Sequence, residues 1–200
     1  MPKISKIAVF GAKSVGKTSI IQQIVYGNYS INKMMYPTIA DSYDAWVDAD
    51  RGQKERIRIY DLQGQDPDPN FISPSHHIQI ADAFILVFSV TSKTSFSVVE
   101  KLRKEIVICR GKDVPIVVLG TKVDMSETRE CQHNEVMKWA DHEKVKLFEV
   151  FVESRTTLQE PIMYLLKKLP LSAGKRGADV KQKLFGRGQK SKESSTSSES

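Results

Sequence analysis

The chain has 200 residues, of which 40% are hydrophobic and 27% are charged, enough to bury a core and too polar for a membrane-embedded protein. No apolar run approaches the roughly 18 residues that a membrane-spanning helix needs. With only Cys109 and Cys131 and no secretory signal, a disulfide framework is unsupported. These features predict a cytoplasmic protein with one folded domain, and a monomer is the simplest expectation.

The net charge of +6 is concentrated at the C-terminal end of the chain. Residues 171–200 carry seven basic and three acidic side chains, a net of +4, and are rich in Gly, Lys and Ser. Such a composition cannot bury enough surface to fold, so we predict a domain at residues 1–170 and a disordered basic, Ser-rich tail at 171–200. Pro2 and the missing C-terminal cysteine predict no stable membrane anchor, and the dispersed charge does not indicate nucleic-acid binding.

Short apolar runs alternate with amphipathic helical patterns along the first 170 residues. Predicted strands lie at residues 4–10, 57–62, 83–90, 115–120 and 146–152. Predicted helices lie at residues 17–26, 95–110, 131–144 and 158–169. The alternation at residues 42–48 predicts an edge strand that forms an antiparallel hairpin with the strand at 57–62. This order predicts an α/β fold with a mostly parallel sheet flanked by helices.

A phosphate-binding pattern, G-x-x-x-x-G-K-[ST], is matched in full between the first strand and the first helix. In this context the loop amides face the phosphates, Lys17 neutralises them, and the Thr18 hydroxyl ligates Mg²⁺. A glycine-rich turn of chance composition is the weaker alternative. The pattern predicts phosphate contacts from Gly11, Ala12, Lys13, Ser14, Val15, Gly16, Lys17, Thr18 and Ser19.

A second motif, Thr121-Lys122-Val123-Asp124, follows the strand at 115–120, at the sheet edge where doubly wound folds bind ligands. The Asp124 carboxylate can accept hydrogen bonds from the N1–H and 2-amino groups of guanine, and adenine offers neither donor. The stem of Lys122 can cover the base. The two motifs together predict GTP or GDP as the ligand, with Mg²⁺.

These motifs resemble the Ras-like small GTPases from about residue 6 to residue 169, which implies a P-loop GTPase (Ras-like) fold with a six-stranded sheet. The segments at residues 36–39 and 61–65 look like the two switch regions of that family. By this resemblance Mg²⁺ would be bound by Thr38 and, through water, by Asp61. The Gly64 amide would meet the γ-phosphate, Tyr29 would pack against guanine, and Gln65 would orient the attacking water.

The phosphate loop departs from this pattern at Lys13, where hydrolysing members usually carry glycine. A long side chain there crowds the catalytic glutamine and an incoming arginine finger, so we expect weak GTPase activity. Whether the ammonium reaches the γ-phosphate or points into solvent is left open. Two prolines at residues 66–70 hinder the helix that normally begins there, and Ser154-Arg155-Thr156 lacks the family's usual Ser-Ala-Lys, so no guanine contact is assigned to it.

Segments at residues 26–28, 50–55, 104–106, 143–147 and 157–161 look like one branch, the κB-Ras or NF-κB-inhibitor-interacting Ras-like proteins. This resemblance implies binding to the inhibitor IκB, especially its β form, slower degradation of that inhibitor, and action with the Ral GTPase-activating complex. Two alternatives stay open. One is an ordinary GTP-hydrolysing protein that uses Gln65, and the other is a nucleotide-independent scaffold.

Four further residues are predicted to have structural roles and not binding or metal-ligating ones. Trp46 and Trp139 lie in a strand and a helix pattern, which predicts packing rather than a stacking platform for bases. His76-His77 has no partner set with metal-ligand spacing and is predicted to be the polar end of a loop.

Overall fold

The computed structural model describes residues 4–27, 38–48, 54–65 and 75–169, and the tail predicted to be disordered lies outside them. The strands are β1 Ser5–Gly11, β2 Ala40–Asp48, β3 Lys54–Leu62, β4 Ala83–Ser89, β5 Ile116–Thr121 and β6 Lys146–Glu149. The helices are α1 Lys17–Val25, α2 Ser75–Ile80, α3 Lys93–Arg110, α4 His133–Glu143 and α5 Arg155–Lys168.

The six strands form one sheet in the order β2-β3-β1-β4-β5-β6. Every neighbouring pair is parallel except β2 and β3, which form the predicted antiparallel edge hairpin. The structure therefore confirms the mostly parallel six-stranded sheet flanked by helices. Because β1 lies in the middle of the sheet, the phosphate-binding pattern that follows it emerges at the centre of the carboxyl edge.

The core lies on both faces of the central strands. Every residue of β4 and β5 is buried, and so is nearly every residue of β1. Helices cover both faces of these strands, which is why their sequences are continuously apolar instead of alternating. No helix among the described residues is long and apolar enough to cross a membrane.

Two helices begin earlier than their apolar patterns predict. The helix predicted at 95–110 begins at Lys93, because the Ser92 side chain accepts a hydrogen bond from the Ser95 amide, 3.2 Å away, and caps a polar first turn. The helix predicted at 158–169 begins at Arg155, whose polar first turn gives no apolar periodicity. The short helix α2 was not predicted, and His76-His77 belongs to it instead of ending a loop.

The prediction that Trp46 is a packing residue is wrong, since 61% of its surface is exposed. Trp46 lies on the edge strand β2, across from Arg56 on β3. An edge strand has a neighbour on one side only, so an aromatic residue on its outer face finds little to pack against. Trp139, in contrast, is half-buried and its ring centroid lies 5.0 Å from that of Phe96.

Candidate nucleotide-binding site

The phosphate loop, residues 11–18, connects the end of β1 to the first turn of α1, and the Thr121 hydroxyl ties it to the end of β5. Thr121 is buried at the end of β5, and its Oγ1 lies 2.8 Å from the Val15 carbonyl oxygen and 3.0 Å from that of Phe88. Sequence reasoning placed Thr121 beside the base and missed this contact. A hydroxyl residue directly after a buried strand was the available signal.

Lys17 is folded back over the phosphate loop. Its Nζ donates to the carbonyl oxygens of Ala12 at 2.9 Å and Gly11 at 3.3 Å, and only 7% of the residue is exposed. Burial lowers the pKa of Lys17 to about 8, although the Asp61 carboxylate acts in the opposite direction. A positive charge held in a low-dielectric loop is a strong site for an anion, which is the phosphate role predicted for this residue.

The three residues predicted to bind Mg²⁺ lie together beside Lys17. The Thr18 hydroxyl donates to Asp61 Oδ2 at 2.6 Å, and the hydroxyl oxygens of Thr18 and Thr38 lie 2.8 Å apart. Asp61 is fully buried, and its burial raises the pKa of its carboxyl group. Its second oxygen, Oδ1, is buried without a hydrogen-bond partner among the described residues.

These oxygens fit Mg²⁺. The ion prefers hard oxygen ligands, keeps several waters, and is commonly held by one or two carboxylates together with substrate phosphates. No group of three or more His, Cys, Asp or Glu that could hold a metal occurs in the described ranges. A Mg²⁺ ion here would therefore depend on Asp61, the two threonine hydroxyls, water and the nucleotide itself.

The segment after β3, residues 63–65, is held by backbone hydrogen bonds to the segment around Thr38 and to the phosphate loop. The Gln63 amide donates to the Ile39 carbonyl at 3.1 Å, and the Gln65 amide donates to the Gly11 carbonyl at 3.0 Å. Gly64 lies so close to the phosphate loop that a Cβ added there would come within 2.5 Å of Lys13 Cα and 2.8 Å of its Cγ. The backbone on both sides of Gly64 is thus set by contacts that a side chain at this position would break.

Gln65, the predicted water-orienting residue, is packed into this arrangement. It forms a parallel bridge with Ala12, only 3% of it is exposed, and its Nε2 is buried without a hydrogen-bond partner among the described residues. Together with Lys13, Ser14 and hydroxyl residues at the start of α3, it lines a cavity of about 190 Å³. Its part in hydrolysis stays a prediction.

The base-binding loop after β5 is more open than the phosphate loop. Lys122 is half-buried with a φ of 58°, and Asp124 is exposed. The end of this loop is fastened to β6, because Arg129 donates to both carboxylate oxygens of Glu149, at 2.7 and 2.9 Å. That contact lowers the pKa of Glu149. The exposed Asp124 carboxylate is accessible to a guanine base, as its predicted role requires.

Several predictions fall outside the described residues. They are the guanine contact of Tyr29, the first part of the switch segment at residues 36–39, the prolines at residues 66–70 and the tail. His76 and His77 have ring centroids 5.5 Å apart, and His77 lies 5.3 Å from Tyr60, so these histidines pack as aromatic rings.

Comparisons with known proteins agree with this geometry. Residues 6–171 match the model of the Ras family. The chain is 41% identical over 189 residues to NF-kappa-B inhibitor-interacting Ras-like protein 2 of Gallus gallus, an alignment that covers 94% of this chain and 98% of that relative. It is 44% identical over 170 residues to NF-kappa-B inhibitor-interacting Ras-like protein 1 of Homo sapiens, covering 84% and 88%.

The family match covers most of the chain and includes the phosphate loop, both segments around Thr38 and Asp61, and the base motif. The resemblance to the NF-κB-inhibitor-interacting branch, predicted from short segments, is confirmed by relatives of that name. Membership implies guanine-nucleotide binding, in agreement with the full phosphate-loop pattern and Asp124. This chain belongs to the Ras family of small GTPases.

Proposed function

We propose that this chain is an atypical GTP-binding protein that works as a switch or interaction module in NF-κB signalling. The observation that carries the proposal is the meeting of Lys17, Thr18, Thr38 and Asp61 at one point beside the full phosphate loop. These residues come from three separate segments, and together they supply the cation and the oxygen ligands that a Mg²⁺-nucleotide requires.

In this proposal the chain binds the nucleotide at its phosphates and at its guanine base. Lys17 and the loop amides hold the β- and γ-phosphates, and Thr18, Thr38 and Asp61 hold Mg²⁺. The bound ion neutralises phosphate charge. Asp124 accepts hydrogen bonds from guanine, and its exposed position leaves it accessible to the base.

The proposed switch is the pair of segments that follow Thr38 and Asp61. Ile39 follows Thr38 directly and is 83% exposed, and its carbonyl accepts the hydrogen bond from Gln63. A change in the contacts of Thr38 would therefore shift the exposed side chain of Ile39 and the segment that leads to Gln65. In this way the bound nucleotide would alter a surface to which a partner can bind.

We place the partner in the NF-κB pathway because the relatives at 40 to 44% identity carry the name NF-kappa-B inhibitor-interacting Ras-like protein. For this chain we propose binding to IκB, its β form in particular, with slower degradation of the bound inhibitor. Action as a cytoplasmic monomer and together with the Ral GTPase-activating complex belongs to the same proposal.

We propose that intrinsic hydrolysis is weak. Lys13 lies against Gly64, and the neighbouring Gln65 is buried with its backbone held by the phosphate loop. In this proposal Gln65 must move before it can orient the attacking water, so hydrolysis is slow and the protein keeps GTP bound for long periods. The ordinary hydrolysing GTPase is the competing function, and it requires Gln65 to work despite this packing.

The deciding experiment measures nucleotide and partner binding on the same purified samples. Nucleotide released from the protein after denaturation in Mg²⁺-containing buffer is separated and quantified, and we expect GTP and GDP with GTP in excess. Binding to purified IκB β is then compared for the protein loaded with GDP and with a non-hydrolysable GTP analogue, and a difference between the two states is expected.

Lys17→Ala is the test variant in that experiment, and Lys138→Ala, on α4 and away from the site, is the matched control. Absence of guanine nucleotide from the wild-type protein would contradict the proposed binding. Equal IκB β binding in both nucleotide states and by folded Lys17→Ala would instead support the nucleotide-independent scaffold.

A further inference from the structure

The cavity beside Gln65 lies between the phosphate loop and the start of α3. Its volume is about 190 Å³, many times the roughly 15 Å³ that one water needs. Lys17 and the three residues predicted to bind Mg²⁺ are not among the described residues that line it. The cavity is therefore separate from the proposed Mg²⁺ site.

The lining of this cavity is polar and positively charged. Lys13 and Lys122 contribute two amino groups, and no acidic side chain occurs among the described residues of the lining. Five further residues, from the end of β4 and the start of α3, contribute hydroxyl groups: Ser89, Thr91, Ser92, Thr94 and Ser95. Amino and hydroxyl groups donate hydrogen bonds to phosphate and carboxylate oxygens. The lining thus favours an anion.

A buried donor without a partner belongs to the same lining. Gln65 is 3% exposed, and its Nε2 has no hydrogen-bond partner among the described residues. Folded proteins rarely keep a buried donor unpaired, because its loss of hydration is not repaid. The side-chain amide of Gln65 therefore indicates that the cavity takes a hydrogen-bond acceptor.

The N-terminus of α3 also attracts negative charge to this place. The helix has 18 residues and no acidic residue in its first turn. The Glu130 carboxylate accepts a hydrogen bond from the Lys93 amide at 2.9 Å, as the partial positive charge of a helix N-terminus favours. Glu130 is not part of the cavity lining. On the cavity side, no acidic group among the described residues balances the helix N-terminus.

Thr94 can bring a negative charge into the cavity. It is the second residue of α3 and it is exposed, whereas the other four hydroxyl residues of this region are buried or half-buried. Its Oγ1 lies 2.9 Å from the Oγ of Ser92, the residue that caps the helix. An exposed hydroxyl is accessible to a protein kinase, and a phosphate at a helix N-terminus beside basic residues gains charge-assisted hydrogen bonds.

We propose that Thr94 is a phosphorylation site and that the cavity beside Gln65 binds its phosphate through Lys13 and the Gln65 side-chain amide. A protein kinase transfers the γ-phosphoryl group of ATP to Thr94 Oγ1. The bond from the γ-phosphorus to ADP breaks, ADP leaves, and the hydroxyl proton is released. The phosphate carries a charge of about −1.5 to −2 at pH 7 and holds Gln65 in its buried position. This inference goes beyond the proposed function and does not depend on nucleotide binding.

The first measurement determines whether Thr94 is modified. The full chain is expressed in cultured animal cells, purified in the presence of phosphatase inhibitors, and analysed by peptide mass spectrometry. We expect phosphate on Thr94, and its absence from Thr94→Val purified in the same way. An unmodified Thr94, with or without phosphate on neighbouring hydroxyl residues, would contradict the assignment of this residue.

The second measurement determines where the phosphate lies. The full chain is made with phosphothreonine at Thr94 by genetic encoding. The matched control carries phosphoserine at Ser97, an exposed residue of the same helix that lies outside the cavity lining. By ³¹P NMR, the second pKa of the phosphate at Thr94 should be about one pH unit lower than that at Ser97, because nearby positive charge favours the dianion.

The side-chain amide signal of Gln65 gives a direct readout of the proposed contact. The signal is identified in the ¹⁵N NMR spectrum by its absence from Gln65→Leu. It should shift on phosphorylation of Thr94 and stay in place on phosphorylation of Ser97. A Gln65 signal that does not respond to the phosphate at Thr94 would show that the phosphate lies outside the cavity.

Two variants separate the cavity from the helix N-terminus, which lowers the phosphate pKa by itself. In the protein phosphorylated at Thr94, Lys13→Gln and Gln65→Leu should each raise the pKa part of the way to the control value. Lys138→Gln, at an exposed lysine of α4, should leave it unchanged. Either variant suffices if the other does not fold. A phosphate pKa equal to that at Ser97, or one that neither variant changes, would overturn the cavity as the phosphate site.

Discussion

The phosphate half and the base half of the nucleotide site are built differently. In the phosphate half, Lys17 is 7% exposed and Asp61 is 0% exposed. The Lys17 ammonium donates a hydrogen bond to a carbonyl oxygen of the phosphate loop, and the Asp61 carboxylate accepts one from Thr18. In the base half, Asp124 is exposed. The loop that carries it is attached to β6 by the ion pair between Arg129 and Glu149. One half buries its charges, and the other leaves its key carboxylate in solvent.

This difference separates affinity from selectivity. The buried charges of the phosphate half change their energy strongly when a Mg²⁺-nucleotide arrives, because electrostatic interactions are strongest where water is excluded. The base half has little buried charge to rearrange, so its preferences can be altered by substitution with little effect on folding. Substitutions in each half, and the pH dependence of binding, test this division.

The largest effect is expected in the base half, for Asp124→Asn. Two hydrogen bonds to a charged acceptor contribute about 1.5–3 kcal/mol each, so GDP affinity should fall about 10²- to 10⁴-fold. Xanthosine diphosphate, which has an oxygen in place of the 2-amino group, should gain affinity because the amide introduced by this substitution can donate to that oxygen. Titration calorimetry with both nucleotides measures the change.

The unfolding temperature of Asp124→Asn should stay close to that of the wild type, since Asp124 is exposed. Asp141→Asn, at another exposed aspartate, is the control and should bind GDP normally. A GDP affinity in Asp124→Asn close to that of the wild type would show that guanine is recognised elsewhere.

The second prediction concerns hydrolysis in the phosphate half. Lys13→Gly removes the side chain packed against Gly64 and should raise the single-turnover rate about tenfold or more, roughly 1.4 kcal/mol of barrier. Adding Gln65→Leu should abolish this gain. Gln65→Leu alone should change the wild-type rate only slightly, because the buried Gln65 contributes little while Lys13 is present.

The same three variants decide between weak and ordinary hydrolysis. If Gln65→Leu alone abolishes GTP hydrolysis and Lys13→Gly brings little gain, the protein is an ordinary hydrolysing GTPase that tolerates Lys13. The unfolding temperature of Gln65→Leu is a useful check, since replacing a buried glutamine whose Nε2 has no partner among the described residues should be close to neutral.

The third prediction is a pH dependence that belongs to Lys17. Its pKa of about 8 in the protein alone lies below the ordinary lysine value, so raising the pH above 8 removes the positive charge that the phosphates need. GDP affinity should fall towards about tenfold per pH unit above that pKa, with proton uptake on binding. Stability should change in the opposite sense and rise with pH between about 8 and 10.5, because the unfolded chain then binds the extra proton.

Lys17→Arg is the control for that measurement, since a guanidinium group stays protonated throughout this range. Any slope that remains in Lys17→Arg belongs to other groups, including the guanine base. Equal slopes in the two proteins would exclude Lys17 as the titrating group. Calorimetry in buffers of different ionisation enthalpy gives the number of protons taken up.

The smallest effect is expected for Arg129→Ala, which removes the ion pair that attaches the base-binding loop to Glu149 on β6. This partly buried bidentate pair should contribute about 1 kcal/mol to the free energy of unfolding at neutral pH. Because Arg129 lowers the pKa of Glu149, that contribution is present above the ordinary Glu pKa and is lost as the pH falls through the lowered value.

Urea unfolding at neutral pH and in the acid range checks the loss. The difference between Arg129→Ala and wild type should shrink on acidification. Arg56→Ala, which breaks a more exposed ion pair with Asp44, should change stability less at neutral pH. A pH-independent difference for Arg129→Ala would mean that packing, and not the pair with Glu149, is responsible.

Much of the fold and of the site could be predicted because the relevant signals are local. The continuous apolar runs of β1, β4 and β5 predict strands covered on both faces, and these strands are buried on both faces. The phosphate loop and the base motif are contiguous patterns directly after such strands. Thr38 and Asp61 could be placed through resemblance to a family, and the structure brings them to Thr18.

What could not be predicted depends on which segments become neighbours. Trp46 has a strand pattern, yet its exposure follows from the position of β2 at the sheet edge. The helix α2 is short and polar and gives no periodic signal. The hydrogen bond that Arg155 donates to the Ile24 carbonyl joins residues 131 positions apart, and no local pattern announces it.

Contiguous stretches of the chain encode the order of strands and helices, the phosphate loop, Asp124 with its predicted guanine contact, and the departure at Lys13, so these features can be read without a fold. Tertiary contacts set how these parts act on one another. They bury Lys17 beside Asp61 and lower its pKa, pack Gly64 onto Lys13, and fasten the loop after β6 to α1 through Arg155. Burial and long-range contacts exist only once the chain has folded, and they set the energies of residues that the sequence could only name.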